Sequence, residues 1–228
     1  MDSMYEILMG LPLFQGVSHN RISELIEKIK FHFLKYLNND KILDSGDPCN
    51  NLKFLISGSV RLETKNLNKR LKVSQTISAP NVIGAEYLFG RTTNLPYSVS
   101  AAPDAGILQI EKADYLTILK SDIVFLFNML NYLSAHSQKP TEAALSLTSG
   151  SVAERFAFWV TSLTYRNSKD IVIEGKQKDF YTMLGVQRSA FINTLEDLKN
   201  RGYLDFTTNT ITIANQEVLR NLLTSEQQ

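Results

Sequence analysis

The residues whose types and spacing could do chemistry lie close together near the C-terminus: Gln187, Arg188, Ser189 and Asn193. On a helix running from Arg188 to Asn200, Ser189, Asn193 and Asn200 share one face, with Ala190 beside them. Phe191, Leu195 and Leu198 fill the opposite face and Ile192 its edge. Side chains of this kind read DNA. An arginine grips the O6 and N7 edge of guanine with two hydrogen bonds, and a helix enters the major groove N-terminal end first. Lys176, Gln177 and Lys178 precede this helix, and Lys199 and Arg201 follow its exposed face. Such cations hold phosphates, which position a protein on the duplex without specifying sequence. Other chemistries find few residues. Cys49 is the only cysteine, which excludes an internal disulfide and a cysteine-rich zinc or iron–sulfur site; beside Asn50 and Asn51 it reads as a loop residue and a candidate redox thiol. His19, His32 and His136 are scattered and read as surface or satisfied histidines. No histidine lies between Lys35 and Tyr132, so a metalloenzyme built inside a β-roll lacks its ligands. No nucleophile–base set, no P-loop and no dinucleotide glycine fingerprint is present; the chain reads as a non-enzyme.

The elements around Arg188 follow a recognisable order. Val152 to Leu163 is predicted helical, with Val152, Phe156, Trp159, Val160 and Leu163 on one face. Ile171–Ile173 is a short strand. Gln177 to Leu184 is a second helix, with Phe180, Met183 and Leu184 inward. Gly185-Val186 is the turn, where glycine tolerates the positive φ of a sharp corner. After the third helix, Tyr203–Phe206 and Thr210–Ile213 alternate across Thr207-Thr208-Asn209, as a β-hairpin does. This is a helix-turn-helix followed by a wing. Residues 151–228 hold nine Lys/Arg and nine Asp/Glu, so a purely electrostatic binder is disfavoured. The alternative is a winged helix used for protein contact.

Upstream, three stretches differ in periodicity. Residues 1 to about 35 are predicted helical, with Ile22, Leu25, Ile26 and Ile29 at helical spacing behind a Ser18 N-cap. Residues from about 31 to 113 hold short β runs at Phe54–Glu63, Leu71–Ile77 and Ile107–Glu111, with turns expected at Asn38-Asn39-Asp40, Ser45-Gly46-Asp47-Pro48 and Pro103-Asp104-Ala105-Gly106. Many short strands argue for a β-sandwich or roll. From about 114 the pattern is helical again. Ile123, Leu126, Leu130, Leu133, Ser137, Pro140, Ala144 and Leu147 step by three and four, a heptad seam. Pro140 removes one backbone hydrogen bond, so a kink or break is expected there. The seam packs either against the chain's own β-domain or against a second copy; Phe125 and Phe127 flank it and would supply the intrachain contact. The small polar joint Thr148-Ser149-Gly150-Ser151 marks a domain boundary.

With 24 Lys/Arg against 23 Asp/Glu the net charge is +1 and the hydrophobic share 43%, a globular composition without a polycationic coat. The acidic N-terminus is unlike a signal peptide, and no apolar run approaches the roughly 20 residues of a membrane helix. A soluble cytoplasmic protein is expected.

In its order of pieces the chain resembles the Crp–Fnr family of bacterial transcription regulators. The pieces are Ser45–Pro48 with Phe54–Leu62, the long helix, Val152-Ala153-Glu154-Arg155-Phe156-Ala157, and Lys178 through Phe191. The resemblance implies an α+β protein: an N-terminal β-roll, jelly-roll-like and of cyclic-nucleotide-binding-domain type (1–121), a long dimerisation helix (122–147), and a C-terminal winged helix-turn-helix (148–228). It implies a homodimer joined through Ile123, Leu126, Leu130, Leu133 and Ser137, acting on double-stranded promoter DNA and RNA polymerase, with no membrane role. Half-sites would lie about one helical turn apart. Arg188 falls on the first base-reading position, while Ser189 and Asn193 stand where the family carries an acid and a second arginine, which implies a different half-site. Lys176 replaces the usual hydroxyl cap. The effector pocket matches Gly84, Ala85, Glu86, Arg91, Pro96 and Tyr97. Ala85 sits where a glutamate would hold ribose, and Leu95 and Pro96 where an arginine and a small hydroxyl residue would hold phosphate. Cyclic AMP is therefore not the expected effector; an unidentified small molecule, no ligand, or a shifted register using Glu86 and Arg91 remain. The alternative function is a ligand-free or protein-binding regulator with no DNA role.

Overall fold

The computed structural model describes residues 4–147 and 150–225. Its helices are α1 (Met4–Met9), α2 (His19–Lys28), α3 (Lys112–Ser121), α4 (Ile123–Ser146), α5 (Val152–Leu163), α6 (Gln177–Met183), α7 (Arg188–Asn200) and α8 (Gln216–Ser225). The strands are β1 (His32–Tyr36), β2 (Lys41–Leu43), β3 (Asn51–Lys65), β4 (Lys72–Ser78), β5 (Asn81–Ile83), β6 (Tyr97–Glu111), β7 (Lys169–Glu174), β8 (Asp205–Phe206) and β9 (Thr210–Asn215). The chain forms two compact units, Met1–Val60 with Ser78–Ser137, and Arg61–Ile77 with Gln138–Gln228. Strand β3 begins in the first and ends in the second, so the β3–β4 hairpin belongs to the C-terminal unit.

In the first unit β6 is the organising strand. It pairs antiparallel with β1 from His32↔Gln109 to Tyr36↔Ala105, and with β2 through Lys41↔Ser100 and Leu43↔Val99. β3 lies beside β6, and β5 pairs with β3 from Lys53↔Ile83 to Leu55↔Asn81. The turn expected at Pro103–Gly106 does not form; these residues lie inside β6. Gly106 serves a different need, the close approach of β3 and β6. Gly58 has φ +73° and a Cβ there would strike the carbonyl oxygen of Asp104, while one on Gly106 would strike the side chain of Ser57. The turns at Asn39 (φ 67°) and Gly46 (φ 98°) do form.

Helix α2 starts after Ser18 as expected, and Ile22 and Leu25 are buried. The core centres on Phe14, whose ring meets Phe54 and Phe125 edge-on at 5.6 and 5.2 Å. Asn128 ties α4 to this core, donating to the carbonyls of Leu13 (3.2 Å) and Gln15 (2.8 Å). Of the two phenylalanines flanking the seam, Phe125 is fully buried but Phe127 is 56% exposed. Only Phe125 makes the intrachain contact, because the 3.6-residue repeat turns Phe127 to the side of Ile123 and Leu130. Pro140 does not break the helix, which runs on to Ser146. Among the described residues no single helix is long and apolar enough to cross a membrane.

The second unit packs helices on a sheet in which β4 pairs with β7, β7 with β9 and β9 with β8. Phe156, Trp159, Phe180 and Phe191 form an aromatic cluster, joined by Leu195, Leu198 and Val73 of β4. The Gln75 side chain donates to the Leu163 carbonyl (3.3 Å) and accepts the Tyr165 N–H (2.7 Å), closing the end of α5. At its start Ser151 accepts the Glu154 N–H at 3.1 Å and Glu154 accepts the Ser151 N–H at 2.6 Å, a reciprocal cap that satisfies two otherwise orphaned donors. Thr148 and Ser149 of the expected joint lie outside the described residues.

Candidate nucleic-acid interface and effector pocket

The second unit builds the reading helix from its buried side outward. Phe191, Leu195 and Leu198 are at most 1% exposed, which fixes the rotation of α7 and turns Gln187, Arg188, Ser189 and Asn193 to solvent. Arg188 makes no hydrogen bond or ion pair among the described residues, so its guanidinium is available. The corner before α7 is Gly185 at φ +66°, with nothing within 4 Å of a Cβ position; glycine is there for the backbone and not for space. Arg155 fastens α5 to this corner, donating to the Leu184 carbonyl at 2.9 Å. Phe180 and Leu184 are buried as expected, but Met183 is 37% exposed, because seven residues of α6 turn it past the core edge.

The supporting cations differ in freedom. Lys176 and Lys178 are exposed and Gln177 half-buried at the start of α6, with Lys176 in the cap position but making no side-chain cap bond. Arg201 is engaged by Asp197 (3.4 Å) and lies over the Tyr203 ring at 4.9 Å. Lys199 pairs with Asp205 at 2.6 Å, and that bond holds the Asp205 carboxyl below the usual carboxylate range. The C-terminal end of α7 is thus tied to the wing.

In the first unit Gly84 takes φ +68° and leads into a short helical turn, Ala85–Tyr87. Leu95 and Tyr97 close over it: a Cβ on Gly84 would lie 2.7 Å from Leu95 Cδ2 and 3.3 Å from Tyr97 Oη. Ala85 is fully buried, whereas Arg91 and Pro96 are exposed. Glu86 accepts a hydrogen bond from the Tyr132 hydroxyl of α4 at 2.9 Å, and Tyr132 stacks on His136 with centroids 4.0 Å apart. Cys49 is not a loop thiol open to oxidants; it is 4% exposed and donates to the Gly84 carbonyl at 3.4 Å. Burial pushes its pKa up, against the pull of the Lys53 charge, and burial likewise lowers the Lys53 ammonium. Composition showed neither Lys53 inside the sheet nor the Tyr132–Glu86 bond, since both depend on strand register and helix placement.

A sequence model of the cyclic nucleotide-binding domain family matches residues 33–122. No curated protein matches the chain by sequence. Among solved structures, the catabolite activator protein of Thermus thermophilus aligns with a TM-score of 0.51 at 17% identity, over 94% of this chain and 99% of that one. A mutant of CooA from Carboxydothermus hydrogenoformans gives 0.51 at 17% identity, over 98% and 97% of the two chains. The regulator CLP of Xanthomonas campestris, described as responsive to c-di-GMP, gives 0.50 at 16%, over 86% and 99%. The chain shares the fold of the Thermus catabolite activator protein. The expected α+β architecture of roll, long helix and winged helix-turn-helix is therefore in place.

Ala85, Leu95 and Pro96, which the sequence resemblance sets against the nucleotide, carry no group that would hold one. A buried cyclic phosphate needs a cation and donors. Leu95 is 2% exposed and apolar, and Pro96 has no N–H. Ala85 offers no carboxylate to ribose. The neighbouring acid, Glu86, is already bonded to Tyr132.

Proposed function

We propose that the chain is a homodimeric, sequence-specific DNA-binding transcription regulator, working in the cytoplasm. The N-terminal turns of α7 enter the major groove, where Arg188 reads guanine and Gln187, Ser189 and Asn193 read flanking bases. Lys176, Gln177, Lys178 and Arg201 hold the backbone, and RNA polymerase is the downstream partner. The observation that carries this reading is the division of α7: a buried apolar face fixes it, and the opposite face presents Arg188, Ser189 and Asn193 to solvent. Supporting it, Ile123, Leu126 and Leu130 stand 60, 37 and 49% exposed on α4, a seam for a second copy, with half-buried Leu133 and exposed Ser137 continuing it. The domain division at 121 and 147 belongs to this proposal, as does control by an effector other than cyclic AMP.

The test is selection of duplexes from a random library with the full chain, followed by Arg188→Ala. The variant should fold normally and lose about 1–3 kcal/mol of discrimination between selected and random DNA. Full selectivity in the variant refutes the assignment of α7. Failure of the wild-type chain to retain any duplex favours a protein-binding scaffold instead.

A further inference from the structure

The second unit carries a cluster of cations outside the reading helix. The β3–β4 hairpin and the segment between β7 and α6 enclose an open cleft of about 530 Å³ lined by Lys65, Lys69, Arg70, Lys72 and Lys176, by one acid, Glu174, and by Gly175, with Asn209 and Thr210 of the wing at its side. The parts are held in register. Lys72 pairs across the sheet with Glu174, the Gly175 N–H donates to the Asn209 carbonyl at 2.9 Å, and a Cβ on Gly175 would lie 3.4 Å from the Arg70 carbonyl oxygen. The hairpin tip is braced by its own bonds, Lys69 N–H to the Asn66 carbonyl at 2.9 Å and Leu71 N–H to Asn66 Oδ1 at 3.1 Å.

The cations divide into two groups. Lys72 is bonded to Glu174 at 2.6 Å and lies 3.4 Å from Glu63, which also holds Lys65 at 2.8 Å. These two lysines are neutralised and tie β3, β4 and β7 together. Lys69, Arg70 and Lys176 are exposed and have no carboxylate partner among the described residues. Three exposed positive charges without a carboxylate partner among the described residues therefore share one cleft. Residues 151–228 balance nine Lys/Arg with nine Asp/Glu, whereas the hairpin segment 61–77 holds five Lys/Arg against the single acid Glu63, so the basic excess is local to the hairpin.

We infer that the β3–β4 hairpin is part of the DNA-binding surface: Lys69 and Arg70, together with Lys176, clamp the phosphate backbone beside the wing. The inference rests on the proposed DNA-binding function and extends it to a segment inside the matched cyclic nucleotide-binding domain. The clamp reads no bases. Its contribution is affinity through counterion release and a longer footprint on the duplex.

The test uses the full chain and two fluorescent duplexes, a random 30-base-pair sequence and a selected one, titrated at several salt concentrations. Lys69→Gln/Arg70→Gln should weaken binding to both duplexes by the same factor and leave their affinity ratio unchanged. Each lost phosphate contact flattens the slope of log K against log salt by about 0.9, so the double variant should lose about 1.8 per protomer, or about 3.6 for the bound dimer. Both residues are exposed, and an unchanged melting temperature confirms folding. Glu63→Gln/Lys65→Gln, which removes a mutually neutralised pair and leaves Lys72 with Glu174, should leave the slope nearly unchanged. A double variant with the wild-type slope, or one that loses selectivity between the duplexes, overturns the clamp. Wild-type protein that binds neither duplex overturns the DNA-binding function itself, a result separable from the first two.

Discussion

Leu130→Ala tests whether the outer face of α4 joins two copies. Ile123, Leu126, Phe127 and Leu130 are 60, 37, 56 and 49% exposed, while Phe125 and Met129 of the same helix are buried. Full burial of such a side chain is worth about 1.5–3 kcal/mol, so a half-exposed one has roughly 1 kcal/mol still to gain. A two-fold pair buries each position twice, and the four give about 8 kcal/mol before the cost of association. Truncating Leu130 removes that gain at two symmetric places, about 2 kcal/mol, or roughly 30-fold in the dimer dissociation constant. Alanine keeps helix propensity, so α4 itself is not weakened. Sedimentation velocity across a dilution series reads the constant directly. A variant that dissociates at the wild-type concentration refutes the assignment of this face, as does a wild-type chain that stays monomeric at high micromolar concentration.

Two glycines with similar φ separate backbone strain from space. Gly185→Ala, with an open surround, should cost about 1 kcal/mol in chemical denaturation; Gly58→Ala drives a methyl into the Asp104 carbonyl and should cost about 3 kcal/mol or more, and equal costs would contradict the β3–β6 contact. Cys49 should react slowly with a disulfide reagent at pH 8 in the native protein and rapidly in denaturant, because burial raises its pKa. The sign for stability follows. The unfolded thiol ionises at about 8.5 while the folded one stays protonated, so the contribution present below that pH falls as pH rises above it; a native thiol as reactive as the denatured one would place Cys49 at the surface.

The helical parts of the C-terminal unit were legible because each carries its own period. Phe191, Leu195 and Leu198 announce a buried stripe wherever they occur, and Gly185 marks the corner between two such stripes. Ser151 and Glu154 also spelled a capping box that went unread, and the spacing of Leu219 and Leu222 a last helix. In the first unit the turns at Asn39 and Gly46 are legible, but the third expected turn is not a turn. Pro103, Asp104 and Gly106 resemble turn residues, yet the place of Asp104 is set by Gly58 on another strand, 46 positions away by numbering. Met183 and Phe127 were misplaced for a related reason. A periodicity names a face but not its width, and neighbours decide where burial stops. The cations of the β3–β4 hairpin were invisible as a group, since Lys69 and Arg70 meet Lys176 only through the β4–β7 pairing.

In the first unit the contacts that hold the frame lie away from the turn at Gly84. The frame is held by Phe14 against Phe54 and Phe125, by β6 pairing with β1 and β2, and by the glycine-dependent approach of β3 to β6. None of these contacts involves Ala85, Leu95 or Pro96. Leu95 and Tyr97 over Gly84 add apolar burial where a nucleotide would have demanded charge, and Glu86 finds its partner in Tyr132 of the chain itself. An apolar leucine at this turn buries no charge that would need a ligand, and the turn packs without one. Fold and ligand chemistry are separable at this site, and resemblance of the frame is no argument for the nucleotide.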